Sequence, residues 1–298
     1  MRNHEASNLG HRLIKLIWDY VGKILPDKLY LSLFFRYKMG YWLDWKHPKT
    51  FNEKLQWLKL YDRHEEYSRL VDKYAVKEYV ADLIGGNYII PTLGVWDNFD
   101  DIDFSQLPNQ FVLKCTNDRG GVIICNDKSK LDIKVVREKL NRNLRKNFFY
   151  SSREYPYKQV KPRIIAEKYM DAGGGELPDY KLFCFNGKMK FLFVATDRNR
   201  KDEDTKFDFF DENYNHLRIR NGHPNANITP SKPKSFELMK MLAERLSQNI
   251  PQVRVDFYDV NGKVYFGEMT FFHWGGTVPF EPTDWDYKFG EMIDLPLL

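Results

Sequence analysis

Two acids twelve residues apart, Asp256 and Glu268, lie in alternating runs that read as paired strands. The first run is Arg254-Val255-Asp256-Phe257-Tyr258, the second extends from Val264 to Phe271, and Asn261-Gly262 marks the turn between them. Two registers are open. A two-residue Asn261-Gly262 loop pairs Val260 with Lys263 and sends the two acids to opposite faces. A three-residue loop with Gly262 left-handed pairs Asp259 with Lys263, sets Glu268 opposite Arg254 and makes Asp256 its diagonal neighbour. The second register gathers Val253, Val255, Phe257, Tyr265, Met269 and Phe271 on one face, so it is the one expected. The other face then carries Arg254, Asp256, Glu268 and Thr270. Two carboxylates and a hydroxyl suit Mg²⁺, which takes oxygen ligands and shares them with substrate phosphates.

Three further segments carry chemistry. Lys114 ends an apolar strand and runs into Thr116-Asn117-Asp118-Arg119-Gly120-Gly121. A strand lysine beside a glycine turn can hold phosphate with its charge and the turn's N–H groups, although this turn has neither Walker nor GxGxxG spacing. Glu167-Lys168-Tyr169-Met170 ends another strand ahead of Asp171 and a glycine run. There an aromatic and a methionine beside extended backbone can hold adenine, while Asp179 and Lys181 on the next strand can reach ribose and phosphate. His273-Trp274-Gly275-Gly276 follows the second acid's strand, and Arg218, Arg220 and His223 fall in a polar stretch, 197–232, read as a long excursion.

The elements that must position these residues follow from periodicity. Helices are expected over 9–25, over 51–61 behind a Thr50/Glu53 capping box, over 71–84 before Gly85-Gly86, over 129–147 with Ile133, Val136, Leu140 and Leu144 inward, and after Pro233. Strands are expected over 88–93, 110–115, 121–125, 163–170, 180–185 and 189–195, the last two joined by Asn186-Gly187. Hairpins with occasional helices argue an α+β fold with antiparallel sheets.

The order of these segments resembles the ATP-grasp superfamily: a strand lysine, a glycine loop, a Glu-x-aromatic-apolar hinge, a phosphate lysine, then an acid and a Glu-x-Asn on a late hairpin. Thr270 stands where that pattern has asparagine. Within the superfamily the chain is similar to the TupA-like ATP-grasp proteins of bacterial surface-polysaccharide and teichuronopeptide biosynthesis. The resemblance runs from about Leu25 to Gly276, through Leu25-Pro26-Asp27-Lys28, Pro48-Lys49-Thr50-Phe51-Asn52-Glu53-Lys54, Asp72-Lys73-Tyr74-Ala75-Val76, Phe111-Val112-Leu113-Lys114 and Gly267-Glu268-Met269-Thr270-Phe271.

That resemblance implies an ATP-grasp fold, two α+β subdomains gripping ATP between antiparallel sheets. They would span about 71–167 and 168–298, behind an N-terminal helical, basic module over 1–70. It implies ATP and Mg²⁺ as cofactors and a ligase that forms an amide through an acyl phosphate. Asp256, Glu268 and Thr270 would hold the metal. Lys114 and Lys181 would neutralise phosphate, and Arg254 the acyl phosphate. Lys73, Arg119, Gly120, Gly121, Glu167, Lys168, Tyr169, Met170 and Asp179 would line the nucleotide; the residues alone make Lys73 a helix-surface charge. His273-Trp274-Gly275-Gly276 would supply backbone donors to the substrate carboxylate, with His273 a candidate general base, and Arg218, Arg220 and His223 would bind an anionic glycan. The implied substrates are a saccharide uronic acid and an amino acid or other amine.

Composition bounds the alternatives. With 298 residues, 43% hydrophobic and 16% aromatic, the chain has material for a packed core, which excludes bulk disorder. Charged residues make up 29% and no apolar run approaches the ~18 residues of a spanning helix, which excludes a membrane bundle. The N-terminus lacks an apolar h-region, and Cys115, Cys125 and Cys184 have no disulfide or zinc spacing, so a cytoplasmic protein with reduced, buried thiols is expected. Residues 1–50 carry nine bases against four acids, interleaved with aromatics. That mixture suits an anionic glycan or, with lipid-linked glycans, the inner face of a membrane; no motif accompanies it that would read nucleic acid. Two other function classes are a glycosyltransferase using Asp101-Ile102-Asp103 and a non-catalytic glycan-binding protein.

Overall fold

Strand-forming runs sort into two antiparallel sheets in the structure, a computed structural model that describes residues 23–118, 121–171, 173, 177–198 and 204–297. The smaller sheet holds β1 (Thr92–Trp96), β2 (Phe111–Cys115), β3 (Ile123–Cys125) and β4 (Ile164–Lys168) in the order β1-β4-β2-β3. The larger holds β5 (Asp179–Phe185), β6 (Lys188–Thr196), β7 (Lys206–Asp211), β8 (His216–Leu217), β9 (Gln252–Val260) and β10 (Lys263–Thr270) in the order β10-β9-β5-β6-β7-β8. The α+β architecture expected from the hairpins is the one observed.

Each sheet has its own core. In β2 the pleat buries Phe111, Leu113 and Cys115 and leaves Val112 and Lys114 half-buried on the opposite face. The buried set packs with Ile164 and Ala166 of β4 and with Val136 and Leu140 of the helix Ile133–Leu144. Ile133, expected on that stripe, is exposed. The helix starts there because Asp132 caps it, accepting from the N–H groups of Lys134 and Val135.

In the larger sheet β5 is buried along its whole length. Its odd residues, Phe183 and Phe185, meet the ring of Phe51, which opens the helix Phe51–Tyr61 behind the expected Thr50/Glu53 capping box. The helix Phe236–Leu246 packs against β5, β6 and β9, with Phe236, Met239, Leu242, Ala243 and Leu246 buried as their spacing demands. Because Phe51, Leu55, Trp57, Leu58 and Tyr67 belong to this core, residues 51–70 of the expected N-terminal module are part of the larger body. The three cysteines are buried and free, as expected.

The stretch after Pro26 is a helix, Asp27–Met39, closed by Gly40 in the left-handed region (φ 83°). Three expectations change. The helix expected over 71–84 is two, Tyr67–Val71 and Val76–Ile84. Between them Asp72 Oδ1 accepts from the N–H groups of Tyr74 and Ala75, at 2.8 and 3.0 Å, in competition with helical bonding. The strand expected over 88–93 begins later, at Thr92, behind a single 3₁₀ turn at Gly86–Tyr88. The excursion over 197–232 contains β7 and β8. Its period was obscured by Asp208, fully buried among Phe207, Phe209 and Phe210, where it accepts from Ala226 N–H and pairs with His216. The helix expected over 9–25 lies almost wholly outside the described residues.

Candidate functional site

The late hairpin closes through Asn261 (φ 55°) and Gly262 (φ 84°), so Val260 pairs with Lys263. This is the two-residue loop, not the three-residue one expected. Two successive left-handed residues match the twist of the strands, and Asn-Gly favours them. On its own that loop would part the acids. A β-bulge between Phe266 and Glu268 absorbs Gly267, and beyond it Glu268 lies opposite Asp256 and Thr270 opposite Arg254. The polar face therefore has the expected members with different partners. Tyr265 is half-exposed rather than core, and Val264 and Phe266 are buried instead.

Arg254 organises that face. Its Nε and Nη2 donate to Oδ1 and Oδ2 of Asp256 at 2.7 and 2.8 Å. Nη2 also reaches Thr270 Oγ1 at 3.0 Å and Glu268 Oε1 at 3.4 Å. Lys181, paired across the ladder with Asp256, donates to Asp256 Oδ2 and lies 2.7 Å from Asp179 Oδ2. Arg198 donates to the same Asp179 oxygen at 2.5 Å. Burial pushes Asp256 upward against the pull of Arg254 and Lys181. Burial acts on Glu268 too, but Lys73, Lys181 and Arg254 outweigh it and hold that carboxyl well below its usual range.

The smaller sheet contributes a second cluster. Glu167 on β4 is buried between Lys114 of β2, at 2.5 Å, and Lys77, at 2.6 Å. Burial is again outweighed by the two ammonium groups, and Glu167 stays below the ordinary carboxylate range. Lys73 joins the clusters: its ammonium donates to the Asp118 carbonyl at 2.6 Å and lies 3.3 Å from Glu268 Oε2. It thereby ties the mouth of the glycine turn to β10. Asn143 donates to Asp118 Oδ2 at 2.7 Å on the other side. A Cβ on Gly121 would fall 1.7 Å from that oxygen, so only glycine fits. Arg119 and Gly120 lie outside the described residues.

Past β10 the chain turns through Trp274, Gly275 and Gly276, all left-handed at φ 50°, 63° and 62°. Buried Gln56 and Lys59 hold this turn by donating to the Gly275 carbonyl at 3.0 and 2.7 Å. His273 is buried. Its Nδ1 accepts from Arg254 Nη1 and its Nε2–H donates to Asn221 Oδ1, both at 2.8 Å. Burial, then Arg254 and Lys181, keep it neutral with a pKa well below 6.5. No ring nitrogen is left to take a substrate proton, which removes His273 as a general base.

Lys73, Asp179, Lys181, Arg254, Asp256, Glu268, Thr270 and His273 thus form one network, and Lys114 with Glu167 forms its counterpart on the smaller sheet. Tyr169 and Met170 are half-buried at the end of β4, and Lys168 is exposed beside them. Arg218 is exposed and Arg220 pairs with Glu281 at 2.6 Å, both outside the network. Asp103 caps a turn, accepting from Ser105 N–H at 2.9 Å, and forms no metal pair with Asp101. Lys77, Arg198 and Asn221 were missed. Lys77 had a signal, its four-residue spacing from Lys73 at the start of a helix; the other two had none.

Mg²⁺ fits this donor set in part. Among the described residues no three His, Cys, Asp or Glu side chains converge as a metal cage. An Mg²⁺ that keeps waters and phosphate oxygens needs only one or two carboxylates. Glu268, 37% exposed, is accessible for that role, while both oxygens of Asp256 are engaged by Arg254 and Lys181.

Two antiparallel sheets that carry lysine and carboxylate clusters joined by a glycine turn define an ATP-grasp protein. The family model for TupA-like ATPgrasp matches residues 53–294, and the chain belongs to that family. No curated protein matches it. Similar solved structures include the D-alanine–D-alanine ligase from Bacillus anthracis complexed with ATP (14% identity, 67% of this chain and 53% of that one, TM-score 0.39). The D-alanine–D-alanine ligase from Helicobacter pylori gives 16% identity over 82% and 65% with a TM-score of 0.44, and the D-cycloserine synthetase DcsG gives 15% over 75% and 70% with 0.40. The chain thus spans 53% and 65% of the lengths of the two D-alanine ligases.

Proposed function

We propose that this protein is an ATP- and Mg²⁺-dependent ligase that joins a carboxylate to an amine. The carboxylate would be a uronic acid of a surface polysaccharide or its precursor, and the amine an amino acid or a related amine. The observation that carries the reading is the bridge made by Lys73, which links Asp118 of the glycine turn to Glu268 on β10. A polyphosphate bound beside that bridge would meet cations from both sheets.

Bound Mg²⁺ would shield the charge of the β- and γ-phosphates. Lys114 and Lys181 hold phosphate oxygens, the latter by exchanging a carboxylate partner for a phosphate. Asp179 Oδ1 is buried and finds no hydrogen-bond partner among the described residues, which leaves it as an acceptor for a ribose hydroxyl. The Tyr169–Met170 backbone reads the adenine edge. A substrate carboxylate oxygen then attacks the γ-phosphorus, the bond to the β,γ-bridging oxygen breaks, and ADP leaves. The amine attacks the acyl carbon, the C–O bond to phosphate breaks, and the amine proton passes to solvent. Arg254 faces the oxyanion of that second step, held in place by Asp256 and His273.

The test is a panel of uronic-acid oligosaccharides and amino acids with Mg²⁺ and ATP, followed by ADP release and mass spectrometry of the product. ADP release that needs both partners, with a mass gain equal to an amide, supports the reading. Turnover of a nucleotide-sugar, or ADP release indifferent to both partners, overturns it.

A further inference from the structure

The outer face of the helix Asp27–Met39 runs against the pattern of a surface helix. Its inner side docks firmly through buried Tyr30, Leu31 and Phe35. The Tyr30 hydroxyl donates to the Ser151 carbonyl at 2.9 Å, and Arg153 holds Asp27 at 2.7 Å. Opposite, where polar residues belong, stand Leu29, Leu33, Arg36 and Tyr37, one turn apart. With Ile24 and Trp42 they leave apolar members 36% to 64% exposed, and Tyr41, its ring edge-on to buried Phe35, lies at the flank. A contiguous exposed apolar patch on a rigid support marks an interaction site.

Its charges identify the partner. Lys23, Lys28, Arg36 and Lys38, on or next to this helix, are exposed, as are Lys46 and Lys49 in the segment that follows it. The nearby acids are engaged: Asp27 pairs with Arg63 and Arg153, and Asp44 accepts from the N–H groups of Lys46 and His47. The cationic groups of Arg36 and Lys38 lie over the rings of Trp42 and Tyr37, at 5.9 and 5.8 Å, so charge and aromatic surface share one level.

We propose that this face is a docking surface for an anionic phospholipid bilayer, with Ile24, Leu29 and Leu33 entering the acyl boundary and the tyrosines, Trp42 and the basic side chains at headgroup level. Aliphatic side chains gain from acyl chains and offer nothing to the hydroxyls of a glycan, which favours lipid over an acidic polysaccharide. A second copy of this basic face would bring like charges together, so a dimer is the alternative that the test separates. No helix among the described residues is long and apolar enough to cross a membrane. The surface does not depend on the ligase reading.

The test is cosedimentation of the full chain with vesicles of phosphatidylcholine alone and of phosphatidylcholine with phosphatidylglycerol. Binding is expected to the anionic vesicles only, and to weaken with added salt. Leu29→Glu combined with Leu33→Glu should weaken it by about tenfold or more, with an unchanged melting temperature because both positions are exposed. Arg36→Gln with Lys38→Gln should reduce the preference for anionic lipid. Three results each overturn the proposal: no vesicle binding by the wild-type chain, undiminished binding by the Leu29→Glu/Leu33→Glu variant, or a dimer in solution that this variant disperses.

Discussion

The two charged clusters are built on different plans. On the smaller sheet one buried carboxylate, Glu167, sits between Lys77 and Lys114. The cluster keeps a surplus positive charge. On the larger sheet Asp179, Asp256 and Glu268 are threaded among Lys73, Lys181, Arg198 and Arg254. There Lys181 is shared between two acids and Arg254 between three acceptors besides His273. A surplus cation can take phosphate without losing its partner. The larger cluster has the same surplus, four cations to three acids, but its cations are shared among several acceptors and must change partners to do so. The difference separates a standing phosphate contact from a set of groups whose partners change as the reaction proceeds.

The largest expected contrast comes from the two glutamates. Glu167→Ala strands two poorly exposed lysines, and losing one partner of a buried ion pair costs about 3–5 kcal/mol. Its denaturation midpoint should fall steeply. Glu268→Gln keeps shape in a more exposed position, so its midpoint should fall less, although Lys73 loses its partner, while Mg²⁺-ATP turnover falls by at least about a hundredfold. Wild-type turnover in Glu268→Gln at saturating Mg²⁺ would remove that residue from the metal site.

The lysines sharpen the same contrast. Lys114→Ala and Lys181→Ala should each weaken ATP binding by roughly 1.5–3 kcal/mol, the scale of a charged hydrogen bond. They should differ without nucleotide: Lys181→Ala leaves Asp179 and Asp256 to repel one another, and it should melt at the lower temperature. Equal ATP affinity in wild type and both variants, measured by calorimetry, would take both lysines out of the nucleotide site.

The two plans were also unequally legible. Lys114 and Glu167 stand on strands whose apolar alternation fixes their face, so residue types and pleat were enough. The polar face of β9 and β10 was read correctly although the loop was not. Sequence shows that Asn261-Gly262 prefers two left-handed residues, but not that Gly267 will be absorbed in a bulge. The compensation depends on Asp256 and Tyr258 crowding that position from the partner strand. Lys77, half-buried at the start of its helix, offered only its spacing from Lys73, because its partner comes from β4, ninety residues later. Strand β7 was hidden by Asp208, whose burial is made tolerable by Ala226 and His216 and by nothing local.

A smaller effect lies in the pH dependence of stability. His273 is neutral in the folded protein at pH values where an unfolded histidine, near 6.5, becomes charged. Below that point the unfolded chain binds the extra proton, so stability falls as pH falls, by at most about 1.4 kcal/mol per unit. Urea unfolding at pH 7.5 and 5.5 should show this loss in the wild type and a shallower one in His273→Gln. Parallel losses in the two proteins would place the titration elsewhere.

The smallest substitution probes the bulge, where the larger sheet's plan originates. A Cβ at Gly267 would lie 3.1 Å from the Asp256 carbonyl oxygen and 3.2 Å from the Tyr258 ring. Backbone on a central strand yields little, so Gly267→Ala should cost about 1 kcal/mol of stability. It should also shift Glu268 relative to Asp256 enough to lower turnover severalfold, while ATP affinity at the Lys114 cluster holds. Changing the chain length there is more telling. Deleting Gly267 makes the ladder continuous and still sets Glu268 opposite Asp256. Inserting one alanine beside it while the bulge persists sets the alanine opposite Asp256 and turns Glu268 and Thr270 toward the core. The deletion should therefore retain measurable turnover and the insertion none, with Val264 and Phe266 anchoring the strand in both. Equal activity in the two would mean that the bulge does not set which face the carboxylate occupies.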